Sequence, residues 1–342
     1  MSVSIIIKTL NEQARIGQTL VTAVQGLARL KDKSQENPLG EIIVADSGST
    51  DRTLEIAAEH GARIAQVKPP ATGSCGVGPQ LGFQYSKYEF LCLMDGDMEL
   101  DPEFLVAAVA YLNDHPACAG VTGHVVECNL ENLEFQRRVQ RSSPENRIGD
   151  IDRMNGGGLY RRQAVEELGY LSDRNLNGYE EFDLGVRLRK RGWKLNRLDR
   201  PFVQHYGHTE NAYKLLIRRW RSRYLFGIGQ ALRASLAEGH FSIFLQELPE
   251  LRLWFVVYAW WFTAAMLFFI LPGLIYPLLV NLLTIALLIS VMSLRKSSLR
   301  MGVYTVVAWL FNAAGLAAGF AKPRLDPKSW IESKKWEPGE YG

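Results

Sequence analysis

Two runs without a charged residue, 254–271 and 274–294, restrict this chain more than any other feature of it. Each approaches the roughly 20 residues with which a helix crosses the hydrocarbon core of a bilayer. In lipid the backbone must satisfy its own polar groups, so such runs are helical. Pro272-Gly273 separates them and predicts a hairpin. Arg295, Lys296 and Arg300 follow, and by the positive-inside rule the hairpin returns to the cytoplasmic side. A third apolar run, 303–320, contains Asn312 and Gly315 and has two readings. Either it crosses, carrying the basic tail 322–335 to the outer side against the same rule, or it re-enters or lies at the interface.

The remainder is mixed and charged, and at 342 residues with 47% hydrophobic content one catalytic domain plus an accessory region is expected. The divisions read from composition are a domain over 1–230, an interfacial amphipathic segment over 231–250, membrane helices over 251–320 and a basic polar tail over 321–342. A net charge of +3, with no basic stretch interleaved with aromatics, argues against a nucleic-acid partner. Four cysteines without paired spacing suit a reducing compartment. Residues 2–7 are too short for a secretory signal, so targeting is expected from the apolar C-terminal runs.

The first hundred residues alternate strand and helix patterns: strands at 3–7, 41–45, 62–67 and 90–94, helices carrying Ile16, Leu20, Val24 and Leu27, then 52–59 and 80–86. Such alternation predicts an α/β fold, a mostly parallel sheet with crossover helices, whose ligands gather beyond the carboxyl ends of the strands. Thr9, Asn11 and Glu12 fall past the first strand, Asp46 and Gly48 past the second, Lys68 past the third, Asp95 and Asp97 past the fourth. Two carboxylates joined by Gly96 at a strand end form a hard oxygen site for a divalent cation, which keeps waters and takes up substrate phosphates. The rim suits a nucleotide. No Walker loop is present, and Gly73, Gly76 and Gly78 do not follow the dinucleotide order, so kinase and dehydrogenase readings are weak.

An opening strand running into Thr9-Leu10-Asn11-Glu12, a second ending in Asp46-Ser47-Gly48-Ser49-Thr50-Asp51, and an apolar strand ending in Asp95-Gly96-Asp97 together resemble the inverting family-2 glycosyltransferases of the GT-A fold. The likeness continues through Gly156-Gly157-Gly158 and Tyr179-Glu180-Glu181-Phe182-Asp183 to His205. It implies a GT-A, Rossmann-like domain, a nucleotide-diphosphate sugar as donor, Mn2+ or Mg2+ as cofactor and inversion at the anomeric carbon. In that family Asp46 would contact the base, Asp97 the metal and Asp95 the nucleotide sugar, with His205 completing the metal or diphosphate site. Two departures stand out: Pro79-Gln80 where the family often has Arg-Asn, and Glu180-Glu181 where it commonly has Glu-Asp.

The glycines 156–158 let backbone amides approach a ligand and suit the acceptor side of a cleft, or make a tight turn. Glu180, Glu181 and Asp183 open a helix over 180–191 on which Glu181 shares the inward face with Leu184, Gly185 and Leu188, while Arg187 is free to meet water or phosphate. An inverting transfer needs a general base, and Glu181 stands where the family carries it; Asp183 and Glu180 are the alternatives, and complementing the helix dipole is the plainer role. His208 reads as structural. Arg219-Trp220 resembles a shortened Gln-x-x-Arg-Trp element on the acceptor side, but Leu216 holds the glutamine position, which argues against a processive polymerase; a lipid-facing surface helix is the other reading.

The expectation is a metal-dependent inverting glycosyltransferase, anchored in the bacterial inner membrane with its catalytic domain in the cytoplasm. Its anchor points to a lipid or lipid-linked acceptor, as in surface polysaccharide or glycolipid synthesis. The rival readings are a nucleotidyltransferase on a similar sheet and a membrane-bound sugar-nucleotide sensor or scaffold without turnover.

Overall fold

A computed structural model of the chain describes residues 2–30, 40–69, 74–128, 147–206 and 211–335; His208 lies outside them, as does most of the polar segment after the first helix. The chain forms two compact units, Met1–Glu210 with Arg324–Gly342, and Asn211–Pro323. The first unit is built on one sheet whose strands are β1 (Val3–Thr9), β2 (Gly40–Asp46), β3 (Arg63–Val67), β4 (Phe90–Asp95), β5 (Met98–Leu100), β6 (Cys118–Glu127), β7 (Gly149–Asp150), β8 (Gly158–Arg161), β9 (Lys194–His205) and β10 (Ser333–Lys335). Their order is β10-β3-β2-β1-β4-β8-β6-β9-β5, with β7 on β9. The stretch β3-β2-β1-β4 is parallel, as the sequence pattern predicts. Beyond β4 the sheet is mixed, because β8 returns antiparallel between β4 and β6.

β1 and β4 are continuous apolar runs because both of their faces are covered. With a side-chain period of two, Phe90, Cys92 and Met94 enter one core layer with Ile5 and Ile7, and Leu91 enters the other with Ile6. The helix Ile16–Arg29 adds Ile16, Leu20, Ala23 and Leu27 to the first layer. Val24, expected on that face, is 49% exposed: at 100° per residue it falls at the edge of the stripe that Leu20, Ala23 and Leu27 define.

The C-terminal tail is part of this unit. β10 pairs antiparallel with β3 and covers a sheet edge that would otherwise stay open. Ile331 is fully buried in the second core layer. Arg324 donates through Nε and Nη2 to Asp173 Oδ2 at 3.1 and 2.9 Å, Arg174 Nη1 donates to Ser329 Oγ at 3.0 Å, and the Lys68 amide donates to Glu332 O at 2.9 Å.

The second unit is helical: Ala212–Arg221, Gly227–Ala237, Phe241–Glu247, Glu250–Ile270, Ile275–Lys296 and Leu299–Ala321. The last three are long and apolar enough to cross a membrane. The third of these is continuous through both polar or small positions noted above, since Asn312 Nδ2 turns back to Ala308 O at 2.7 Å and Gly315 sits inside the helix.

Asp173 is wholly buried and Arg324 is its cation, so Arg324→Met should destabilise the first unit by about 3 kcal/mol, as expected when one partner of a buried pair is removed. A thermal melt of the purified protein with an unchanged midpoint would contradict this.

Candidate active site

Register converts the sequence motifs into a site. Lys8 of β1 lies opposite Asp95 of β4, and Thr9 lies opposite Asp46 of β2. Lys8 Nζ reaches Asp95 Oδ1 at 3.0 Å and Glu180 Oε1 at 3.3 Å, joining the first strand, the acidic turn and the acidic helix. Burial works to lower the Lys8 pKa, but Glu180 and then Glu181 outweigh it and hold the ammonium above the usual lysine range. The sequence reading passed over Lys8. Its signal was a lysine directly continuing the buried run Ile5-Ile6-Ile7, a position that demands buried counter-charges.

Asp97 and His205 meet at the far side of the same turn. β9 pairs Met98 with His205, and β6 sets Glu127 opposite it. His205 Nε2 lies 3.4 Å from Asp97 Oδ2, and Nδ1 lies 2.6 Å from Glu127 Oε2. Burial works against the imidazolium, yet the bonds to Asp97 and Glu127 push the His205 pKa up to about 9. Glu12, expected on the rim, feels this cluster: burial and then the Asp97 charge push its carboxyl up to about 7. Among the described residues no three His, Cys, Asp or Glu side chains form a ready-made metal cage. A Mg2+ or Mn2+ that keeps waters and takes phosphate oxygens needs only one or two protein carboxylates. The donor set therefore fits such an ion: the Asp97 carboxylate beside a histidine whose other nitrogen is fixed by an outer carboxylate.

Glu181 lies at the start of the helix Glu180–Lys190, after Tyr179 with φ 68°. Its Oε1 accepts the Gly157 amide at 2.9 Å. That approach requires glycine: at φ 96° a Cβ on Gly157 would stand 2.1 Å from Leu93 O. Glycines 156–158 thus seat the base candidate against β4. Asp183 has another role. It is 3% exposed and accepts Arg187 Nε at 2.7 Å, while Arg187 Nη1 and Nη2 donate to Tyr170 O and Leu171 O at 2.9 and 2.8 Å. Arg187, expected to face water or phosphate, is buried over the Tyr170 ring instead, because Asp183 one turn earlier supplies its counter-charge.

The other rim residues are placed as follows. Asp46 is fully buried and accepts from Gly48 N, Ser49 N, Ser49 Oγ, Gln66 Nε2 and Thr9 Oγ1. Its carboxylate shapes the loop and, as the side chain stands, offers no surface to a base. Asn11, at φ 59°, ties that loop to β1 by accepting Thr50 N at 2.8 Å. Gln80 is buried, and its Oε1 accepts Leu171 N and Ser172 N at 2.9 and 3.1 Å, so it holds a loop where a nucleotide contact was expected. Lys68 is exposed beside β10. Arg219 and Trp220 belong to the second unit, where Trp220 packs edge-on against Phe226 and Phe311.

A cleft of about 430 Å³, its open mouth included, is lined by Lys8, Asp95, Gly157, Glu180 and Glu181 with Leu93, Tyr160, Ser172 and Leu184. Asp97 and His205 are not among its walls.

The α/β sheet, with acidic groups converging at the ends of its parallel strands, has the GT-A fold seen in solved structures. A mannosyltransferase from Pyrobaculum calidifontis, solved with GDP-Man and Mn2+, superposes with a TM-score of 0.57 at 16% identity, over 91% of this chain and 86% of that one. S. aureus TarS with UDP-GlcNAc gives 0.50 at 16% identity, over 72% and 75%. Residues 4–169 match the family described as Glycosyl transferase family 2. Curated relatives include the 4,4'-diaponeurosporenoate glycosyltransferase of Staphylococcus haemolyticus, 25% identical over 248 residues, 66% of this chain and 62% of that protein. Glucomannan 4-beta-mannosyltransferase 2 of Arabidopsis thaliana is 27% identical over 143 residues, 39% and 26% of the two chains. The chain thus spans less than two thirds of either relative.

Asp183→Asn should lower stability by about 3 kcal/mol, since it strands the buried Arg187 charge. Differential scanning fluorimetry reads this directly; a melt within error of wild type, with activity lost, would return Asp183 to the chemistry.

Proposed function

We propose that the chain is a divalent-metal-dependent inverting glycosyltransferase that moves a sugar from a nucleotide-diphosphate sugar to a lipid or lipid-linked saccharide acceptor at the cytoplasmic face of a membrane. The carrying observation is Glu181, held by the Gly157 amide at the cleft that also contains Asp95, with Gly157 and Asp95 both lying in the stretch 4–169 that matches Glycosyl transferase family 2. The two fold neighbours solved with GDP-Man and UDP-GlcNAc are precedents for the donor class. The lipid acceptor follows from location, because three helices suited to a bilayer continue the same chain. A cytoplasmic site follows from where sugar nucleotides are made, and it accords with the basic residues after the second of those helices.

In this mechanism Glu181 accepts the proton of the acceptor hydroxyl as that oxygen attacks the anomeric carbon. The bond from that carbon to the diphosphate oxygen breaks on the opposite face, and configuration inverts. The Gly157 amide orients the Glu181 carboxylate. Lys8 screens Asp95 and Glu180 from one another, so that two acidic groups can occupy one cleft. Asp97 and His205 would hold a divalent metal, which would supply positive charge to the departing diphosphate. Glu127 fixes the His205 ring for that role.

Glu181→Gln should lower kcat by roughly 10²- to 10⁴-fold, the usual yield of a general base, with donor affinity retained. A wild-type rate in a radiolabelled sugar-transfer assay would remove the base assignment. Asp97→Ala should abolish the metal-dependent part of nucleotide binding; calorimetry with Mn2+ showing unchanged affinity would count against the cation site. A thermal-shift screen of sugar nucleotides with Mn2+ or Mg2+ names the donor, because a selective ligand stabilises the folded state.

A further inference from the structure

The chain leaves the catalytic unit after Glu210 and rejoins it at Arg324. The returning tail is built into that unit: Arg324 on buried Asp173, Ile331 within the core, and β10 along β3. A strand and the sheet edge it pairs with occupy the same side of a bilayer. The intervening residues must therefore cross an even number of times, although three of their helices are long and apolar enough to do so.

We propose that Asn211–Pro323 crosses twice, through Glu250–Ile270 and Ile275–Lys296, and that Leu299–Ala321 lies at the lipid surface on the catalytic side without crossing. The first two helices pair with each other deep in the hairpin, where Asn281 Nδ2 donates to Ala264 O at 3.3 Å. The close contacts of the third helix gather instead at the open end of that hairpin. A Cβ on Gly302 would stand 2.1 Å from Ser293 Oγ, near the close of the second helix. Ala313 O accepts the Tyr258 hydroxyl, in the first half of the first helix. A Cβ on Gly315 would meet Leu225 O at 2.5 Å and one on Gly319 would meet Phe226 O at 2.0 Å, both ahead of the hairpin. The Pro272-Gly273 tip supplies none of these partners.

Burial agrees with this placement. Phe269, Leu274 and Leu283 of the hairpin are 83, 71 and 69% exposed, as lipid-facing side chains would be. The third helix buries Gly302, Val306, Ala313, Gly315, Leu316 and Gly319 against protein. Its other face carries no charge between Arg300 and Lys322, so it suits lipid contact while the buried face stays on protein. The partner of that outer face is the phospholipid surface. This reading rests on membrane residence alone and is independent of the chemistry of sugar transfer.

The test is cysteine labelling of the full chain in sealed inverted and right-side-out vesicles with a membrane-impermeant maleimide, after alkaline carbonate washing. Native Cys128, which is exposed in the catalytic unit, marks the catalytic side. In a Cys128→Ser background, Arg300→Cys and Glu332→Cys should label in the vesicles that label Cys128, and Leu274→Cys only in the opposite ones. Lys334→Cys is a second tail reporter should Glu332→Cys fold poorly. Tail labelling from the side opposite Cys128 would mean three crossings and overturn the proposal. Arg300→Cys on that opposite side, or Leu274→Cys on the Cys128 side, would overturn it equally. Release by carbonate would overturn membrane residence itself, whatever the enzyme activity.

Discussion

β1 lies between β2 and β4 in parallel register, and that pairing sets Thr9 beside Asp46 and Lys8 beside Asp95. In a parallel sheet the strand ends share one edge, so polar residues that terminate separate strands are brought together without any contact in sequence. The Lys8 ammonium then holds Asp95 and Glu180 together, although these belong to elements 85 positions apart along the chain. Take away the register and the acidic turn, the acidic helix and the glycine triplet have no common centre.

The carboxylates around this centre divide by environment. Asp183 and Asp173 are buried against arginines and support the walls. Asp46 is consumed by donors from Gly48, Ser49 and Gln66, which shape the Ser47–Thr50 turn. Asp95, Glu180 and Glu181 line the cleft, and Asp97 turns toward His205. A carboxylate in a buried ion pair with extra hydrogen bonds is committed to structure, whereas those that line the cleft remain open to a ligand.

Much of this was legible in the residues. Continuous apolar runs marked β1, β2 and β4 because strands covered on both faces have no polar side. Their ends marked the rim because a parallel sheet leaves few other places for Thr9, Asp46 and Asp95 to go. What failed to show was pairing between distant positions. Helical periodicity puts Glu181 and Asp183 in the same first turn and does not tell that Arg187 will claim one of them. Gln80 was expected to meet the nucleotide although it departs from the family pattern, and the amides of residues 171 and 172 capture it. Lys8 was invisible beside the stronger Thr9-Leu10-Asn11-Glu12 pattern. The tail was read as polar because Leu325, Trp330 and Ile331 are scattered among charged and polar residues, and so few positions carry no period.

The placement of β10 also bears on how the protein is made. Ser333–Lys335 follow the three long apolar helices along the chain, yet they pair with β3, formed from residues 63–67. The sheet edge at β3 therefore stays unsealed until those helices have been synthesised. A nascent chain that stalls before residue 333 carries an adhesive strand edge.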